Sequence, residues 1–209
     1  MSFIVTDETP YSCCTQHRAA RIENTSDGKG YTVTRDNYAI GPASYCDLPD
    51  GVSIAGAWDA GHLRSGKYAD ELGELLGVIY ARHPSSEAEI EGRYSMARTG
   101  KPWDDVVKRW AKIGGAKHVE IGHFRPDKSS LYVLVVITTD EYDGDAAKLS
   151  AGILRQYEAW IDGNVYGLEI EDGWTTCYGV EELADVIKYN MGAEAEESLE
   201  LARRIEEIV

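Results

Sequence analysis

The chain has 209 residues, of which 43% are apolar, 27% charged and 10% aromatic, and its formal net charge is -15. That much apolar chain can bury a core, which excludes a disordered or fibrous protein, and no apolar run reaches the ~18–20 residues of a membrane span. The charge is uneven: from Asp140 onward there are 18 Asp and Glu against 5 Lys and Arg, a net of -13, whereas the residues before it carry 18 against 16, a net of -2.

A field of that sign repels phosphate backbones, which argues against direct nucleic-acid binding, and attracts basic partners. The same charge also serves solubility. The first residues, Met1-Ser2-Phe3-Ile4-Val5-Thr6-Asp7-Glu8, lack a basic start and a long apolar stretch, so no secretory signal is expected. Four cysteines, Cys13, Cys14, Cys46 and Cys177, form no CxxC pair. Free thiols in a cytoplasmic protein are the expectation.

The first 60 residues are rich in turns. Asp27-Gly28-Lys29-Gly30 predicts a turn before a strand at Tyr31–Thr34, Gly41-Pro42 and Leu48-Pro49-Asp50-Gly51 predict further turns, and Val52–Trp58 predicts a strand. From Lys67 to His83 the apolar residues Tyr68, Leu72, Leu75, Leu76 and Ile79 recur at helical spacing, and Pro84 ends the pattern. A second helix is expected from Ser85 to about Ala97.

Pro102–Ile113 carries the clearest helix signal. Pro102 suits a first turn, Asp104 and Asp105 lie near the positive end of the dipole, and Lys108, Arg109 and Lys112 near the negative end. Trp103, Val106, Val107 and Trp110 form its apolar stripe, and Gly114-Gly115 stops it. Two strands follow, Lys117–Phe124 and Leu131–Thr138, joined by a short turn. The second is apolar throughout, the mark of a central strand covered on both faces. A helix is expected at Asp145–Ile161, strands at Val165–Ile170 and Trp174–Tyr178, and helices at Val180–Asn190 and Ala195–Ile208, with Gly192 between the last two. The expected class is α+β: an antiparallel β-hairpin and further strands form a small sheet, packed by helices and followed by acidic C-terminal helices. The division expected from composition is an irregular, β-rich region at residues 1–60 and an α+β domain at 61–209, or one domain overall.

Three stretches between about Arg109 and Asn190 carry a resemblance. They are Gly115-Ala116-Lys117-His118-Val119-Glu120, then Tyr157-Glu158-Ala159-Trp160-Ile161-Asp162-Gly163-Asn164-Val165-Tyr166-Gly167, and Cys177-Tyr178-Gly179 before an acidic helix. In these the chain resembles a group of acidic proteins encoded by phages and plasmids of actinobacteria, over roughly 40% of its length. The group tends to have Asp-Ser-Cys-Trp-Gly where this chain has Thr175-Thr176-Cys177-Tyr178-Gly179. The resemblance implies a mobile-element origin and action in a bacterial host cytoplasm; it implies no reaction.

Several constellations bear on chemistry. Gly61-His62-Leu63-Arg64-Ser65-Gly66-Lys67 fits G-x-x-x-x-G-K between an expected strand and helix, with Gly61, Gly66 and Lys67 as the phosphate-holding positions. Asp140-Glu141 after the apolar strand loosely matches the acidic, metal-holding end of such a site. Tyr68 replaces the Ser or Thr that holds magnesium, and a Gly-rich turn capping a helix is the competing reading. Cys13, Cys14, His17 and Cys46 could supply soft metal ligands, but adjacent cysteines rarely serve together and packed thiols are favoured, so no metal or other cofactor is expected. His118 and His123, five apart on one strand, fall on opposite faces. His62 lies three residues after Asp59, where a turn competes with an acid–base pair, and Cys177 would need a histidine close in space to act as a nucleophile.

The acidic surface remains: Glu169, Glu171, Asp172, Glu181, Glu182, Asp185, Glu194, Glu196, Glu197 and Glu200. Carboxylates a helical turn apart could imitate a phosphate backbone, and the competing reading is a solvated helix face. The expected function is therefore a non-enzymatic phage or plasmid accessory protein that binds a host protein with a basic surface, in one form as a nucleic-acid-mimicking inhibitor of host defence. The alternatives are a small nucleotide-binding enzyme using residues 61–67, and a virion or assembly component.

Overall fold

The computed structural model describes residues 3–8, 18–36, 42, 48–58, 85, 89–90, 101–125, 132–170 and 173–209. Among them are eight strands, β1 (Phe3–Asp7), β2 (Ala19–Asn24), β3 (Gly30–Arg35), β4 (Val52–Trp58), β5 (His118–Phe124), β6 (Tyr132–Thr138), β7 (Val165–Ile170) and β8 (Gly173–Tyr178). The helices are α1 (Lys101–Ile113), α2 (Ala146–Ile161), α3 (Val180–Met191) and α4 (Ala195–Ile208). The class is α+β, as expected. The helix expected at Lys67–His83 lies outside the described residues. Of the next one, Ser85, Glu89 and Ile90 are described, and all three are helical.

The strands form two antiparallel sheets rather than one: β1-β2-β3-β7-β8 and β4-β6-β5. The physical reason lies in β6. It pairs on one side with β4 (Ala55↔Val135) and on the other with β5 (Ile121↔Val135), so both of its hydrogen-bonding edges are taken. The next strand in sequence, β7, pairs with β3 instead. Helix α2 therefore leads from one sheet to the other and is not a crossover within one sheet.

The chain divides by contacts into two units, Met1–Ser44 with Arg155–Val209, and Tyr45–Leu154. The first joins the two ends of the sequence, because β3 pairs with β7 (Val33↔Leu168, Arg35↔Tyr166). Its strands alternate as a half-covered sheet requires. Residues Ala20, Ile22, Tyr31, Val33, Tyr166, Leu168 and Cys177 face the buried sides of α3 (Leu183, Ala184, Ile187) and α4 (Leu201, Ala202, Ile205). The turn between β2 and β3 is held by side chains: the Ser26 N–H donates to Asn24 Oδ1 at 2.9 Å and the Lys29 N–H to Asp27 Oδ1 at 3.0 Å. Gly28, at φ 72°, takes the left-handed position there, which costs glycine nothing. At the end of α3, Gly192 (φ 68°) donates its N–H to the Lys188 carbonyl and breaks the helix, as its place between two apolar-striped segments predicts.

In the second unit β6 is central, and Val133 to Thr138 are all buried, so both faces of the strand are covered. Val133, Val135 and Ile137 pack with Val119 against Trp103, Val106, Val107 and Ala111 of α1. The opposite face receives the first half of α2: a Cβ on Gly122 would come within 2.7 Å of Leu154 Cδ2. Helix α2 starts at Asp145, whose Oδ1 accepts the Lys148 N–H at 3.0 Å in the usual capping manner. Burying each large apolar side chain in these cores contributes on the order of 1.5–3 kcal/mol.

Candidate functional site

The acidic residues do not share one surface. Glu181 and Asp185 are exposed in the first half of α3, and Glu194, Glu196 and Glu200 are exposed at the start of α4. These five project from the outer sides of helices whose inner sides are buried against the sheet. Glu169 sits on the other face of that sheet: Leu168 points to the helices, so its neighbour points away. Glu197 is half-buried, and Glu171 and Asp172 lie outside the described residues.

Glu182 has an internal role that its place in an acidic run conceals. Its Oε2 accepts the Tyr178 N–H at 2.7 Å, and its Oε1 accepts the Gln156 side-chain amide. Gly179 occupies the N-cap of α3 and has no side chain to satisfy the helix's first N–H groups. The carboxylate three residues on reaches back to the end of β8, much as the acidic member of a capping box does. Glu182 thus fastens β8, α2 and α3 together.

Cations interrupt the helical carboxylates. Arg203, Arg204 and Lys188 are exposed on the same two helices. Glu200 and Arg204 are four residues apart, the spacing of a favourable helical pair. First-turn acids Glu181, Glu182, Glu196 and Glu197 also lie at the positive ends of helix dipoles, each such placement contributing about 0.3–1 kcal/mol at low salt. Beside α3, a hollow of about 620 Å³ is lined by Asp185, Val186, Lys188, Tyr189 and Asn190, with Tyr189 90% exposed.

The face of the five-stranded sheet turned away from α3 and α4 carries an exposed aromatic residue whose sequence pattern marks only a strand. Trp174 is 54% exposed and stands directly opposite Glu169 in the β7–β8 register. Its indole lies over Gly167, where a Cβ would come within 1.9 Å of Cζ2, so only glycine leaves room for the ring. The signal was available: two residues, Glu171-Asp172, separate the ends of β7 and β8, and a loop that short fixes which residues face each other. Thr32 is next to Glu169 in the same cross-strand row, and Arg21 follows on the far side of Thr32.

The nucleophile reading of Cys177 does not survive. The thiol is buried, and burial together with the nearby Glu182 carboxylate pushes its pKa up to about 12, so it stays protonated and packed against Ala184 and its neighbours. Tyr166 behaves alike: burial first, then the hydrogen bond its hydroxyl donates to Glu206 at 3.0 Å, raises it to about 12. Arg35 stacks over the Tyr166 ring at 5.9 Å.

His118 and His123 do lie on opposite faces of β5. His123 Nε2 is 2.9 Å from Asp104 Oδ1 at the start of α1, and its ring meets Trp103 edge-on at 6.5 Å. His118 is paired in register with Thr138. Its Nε2 is buried without a hydrogen bond among the described residues, as are Thr138 Oγ1 and Ser150 Oγ, although Glu120 approaches it to 3.4 Å.

Gly61, Gly66 and Lys67 lie outside the described residues, as do Cys13, Cys14, His17, Cys46, Asp59, His62 and His83. The place of Asp140 is described. β4 runs antiparallel to β6, and the Thr139 N–H donates to the Gly51 carbonyl at 2.8 Å. Asp140 therefore sits beside the beginning of β4. Phosphate sites of that kind rest on parallel strands, and this sheet has none among the described residues. Among the described residues no group of three or more His, Cys, Asp or Glu is placed to hold a metal ion, and no helix is long and apolar enough to cross a membrane. No family model, no curated protein and no solved structure matches this chain.

Proposed function

We propose that this chain is a non-enzymatic accessory protein of a phage or plasmid that binds a host protein through that protein's basic surface. One observation carries the reading: Glu181, Asp185, Glu194, Glu196 and Glu200 project from the outer side of a helix pair whose inner side is locked into the core. Carboxylates so placed attract a basic partner over about 10 Å at ordinary ionic strength and then pair with its Lys and Arg. Because Arg203, Arg204 and Lys188 interrupt them, and because Glu169 faces the other way, separate acidic contacts suit the arrangement better than an unbroken imitation of a phosphate backbone.

The test is affinity capture from an actinobacterial lysate at low and high salt, repeated with E181Q/D185Q/E196Q/E200Q. A basic protein held at low salt, released at high salt and lost by the quadruple variant is the expected result. Capture of no basic protein, or binding indifferent to both salt and the variant, overturns the proposal.

A further inference from the structure

We infer that the outer edge of β8 takes up an extended, basic segment of the partner as a sixth strand of the five-stranded sheet. The inference rests on the reading above and names the form in which the partner's chain is held.

The register of the β7–β8 hairpin fixes which backbone groups turn outward. The Gly179 N–H donates to the Asn164 carbonyl at 2.9 Å, so that pair is hydrogen-bonded. In an antiparallel ladder every second pair is bonded alike, which places Tyr166↔Cys177 and Leu168↔Thr175 in the same set. The residues between them, Trp174, Thr176 and Tyr178, turn their N–H and C=O groups away from β7. Tyr178 shows this directly, because its N–H meets the Glu182 carboxylate at 2.7 Å. β8 is the last strand of its sheet, and the outward N–H and C=O groups of Trp174 and Thr176 make no hydrogen bond among the described residues. An extended chain laid alongside would satisfy them.

Sheet edges are commonly blunted by charged residues or proline. Gly173-Trp174-Thr175-Thr176-Cys177-Tyr178 contains neither, and Glu182 closes the edge at Tyr178 alone. Gly173 and Trp174 are exposed, and Thr175 and Thr176 half-buried. Helix α3 packs on β8. Glu182, Val186 and Tyr189, at i, i+4 and i+7, share one flank of that helix, and Glu182 marks it as the flank beside the edge. The hollow lined by Asp185, Val186, Lys188, Tyr189 and Asn190 opens on this flank at Val186 and Tyr189. A sixth strand would direct alternate side chains toward α3 and the others beside Trp174 and Thr176.

Charge selects the occupant. Glu181 and Asp185 are exposed on α3, Lys188 is the one cation of that helix, and the chain as a whole carries -15, so a lysine- or arginine-bearing segment is favoured over an acidic one. The opposite edge of the sheet, β1, suits such a segment less, because Arg18 and Arg21 stand beside it.

The test adds three peptides to the ¹⁵N-labelled full chain at low salt: a short one of alternating lysine and valine, the same peptide N-methylated throughout, and a glutamate–valine counterpart. The lysine–valine peptide is expected to slow amide exchange at Trp174 and Thr176 about tenfold or more, while Thr175, whose N–H already serves β7, changes little. Neither control peptide is expected to protect these amides. T176P removes an outward donor that bonds nothing in the folded chain, so it is expected to fold and to bind the lysine–valine peptide about tenfold more weakly. Thermal melting checks that fold, and the exchange readout on the unaltered chain stands without the variant. Equal binding by the N-methylated peptide, or binding that leaves both amides exchanging as before, overturns this inference and leaves the parent reading standing. Equal binding by the glutamate–valine peptide overturns the basic occupant. Protection that grows with protein concentration in the absence of peptide overturns it too, since the edge then belongs to a second copy of the chain. If neither cationic peptide binds, this inference falls and the capture experiment alone decides the parent reading.

Discussion

The two sheets of this protein use their faces differently. In β4-β6-β5 the central strand is apolar at nearly every position, and both of its sides are buried. In β1-β2-β3-β7-β8 the strands alternate: one face is buried under α3 and α4, and the other presents Thr6, Glu169 and Trp174 to solvent. A continuous apolar run specifies a strand with no face to spare, whereas alternation leaves a face on which residues can be chosen for contact. The residues proposed for partner contact accordingly sit on the helices that cover one face of the second sheet and along its β8 edge.

Placing a charge on each sheet is the strongest way to break that comparison. Val135→Asp buries a carboxylate at the centre of β6 and is expected to remove more than about 4 kcal/mol, with loss of amide-exchange protection across residues 118–138. Thr6→Asp, on the open face and opposite Arg21, is expected to stay within about 0.5 kcal/mol. Similar losses from both would mean that the open face is not open.

Trimming the helix layer comes next. Ile205→Ala, at a fully buried position of α4, is expected to cost about 2–5 kcal/mol in chemical denaturation. Glu200→Gln on the outer side of the same helix should leave stability nearly unchanged and act only on partner binding. Glu182 separates from the other acids on the same assay: Glu182→Ala strands the Tyr178 N–H and is expected to cost about 1–3 kcal/mol, whereas Glu182→Gln keeps an acceptor and loses less.

Two orphan hydroxyls sharpen the contrast from the other side. Thr138→Val and Ser150→Ala remove buried oxygens that have no hydrogen-bond partner among the described residues, and each is expected to be neutral or to raise stability by up to about 1 kcal/mol in thermal melts.

The last effect shows only at alkaline pH. Cys177 and Tyr166 have folded-state pKa values raised to about 12 from 9.0 and 10.0, so the folded chain holds these protons more tightly than the unfolded chain does. Their contribution is fully present below pH 9 and declines as pH climbs from 9 to 12. Denaturation midpoints should fall over that window, and Cys177→Ala should flatten the fall if the mutant packs well. In the folded protein Cys177 is expected to resist alkylation at pH 8. Rapid labelling there would contradict the burial.

Local patterns made most elements legible. Trp103, Val106 and Val107 gave α1 its face, Gly114-Gly115 its end, and the seven apolar residues after Ser130 the central strand. The pairing of β3 with β7 was not legible, because backbone hydrogen bonds between strands some 130 residues apart carry no local pattern, and the division of the strands into two sheets was hidden for the same reason. The candidate site was legible as composition and not as geometry. Ten acids could be read off the chain, but not that Glu182 turns inward to Tyr178, nor that Glu169 looks away from the helices.

The union of the chain's two ends in one sheet also orders events during synthesis. β1, β2 and β3 leave the ribosome well before β7 exists to pair with β3, an interval of roughly 10 s at about 5–20 residues/s. Through that interval the edge of β3 awaits its partner, while β4 waits a shorter time, some 80 residues, for β6 within the continuous stretch 45–154. Residues 45–154 are thus complete in sequence before the first unit has all its strands, and slow translation past residue 154 would prolong the exposure of Val33 and Tyr31.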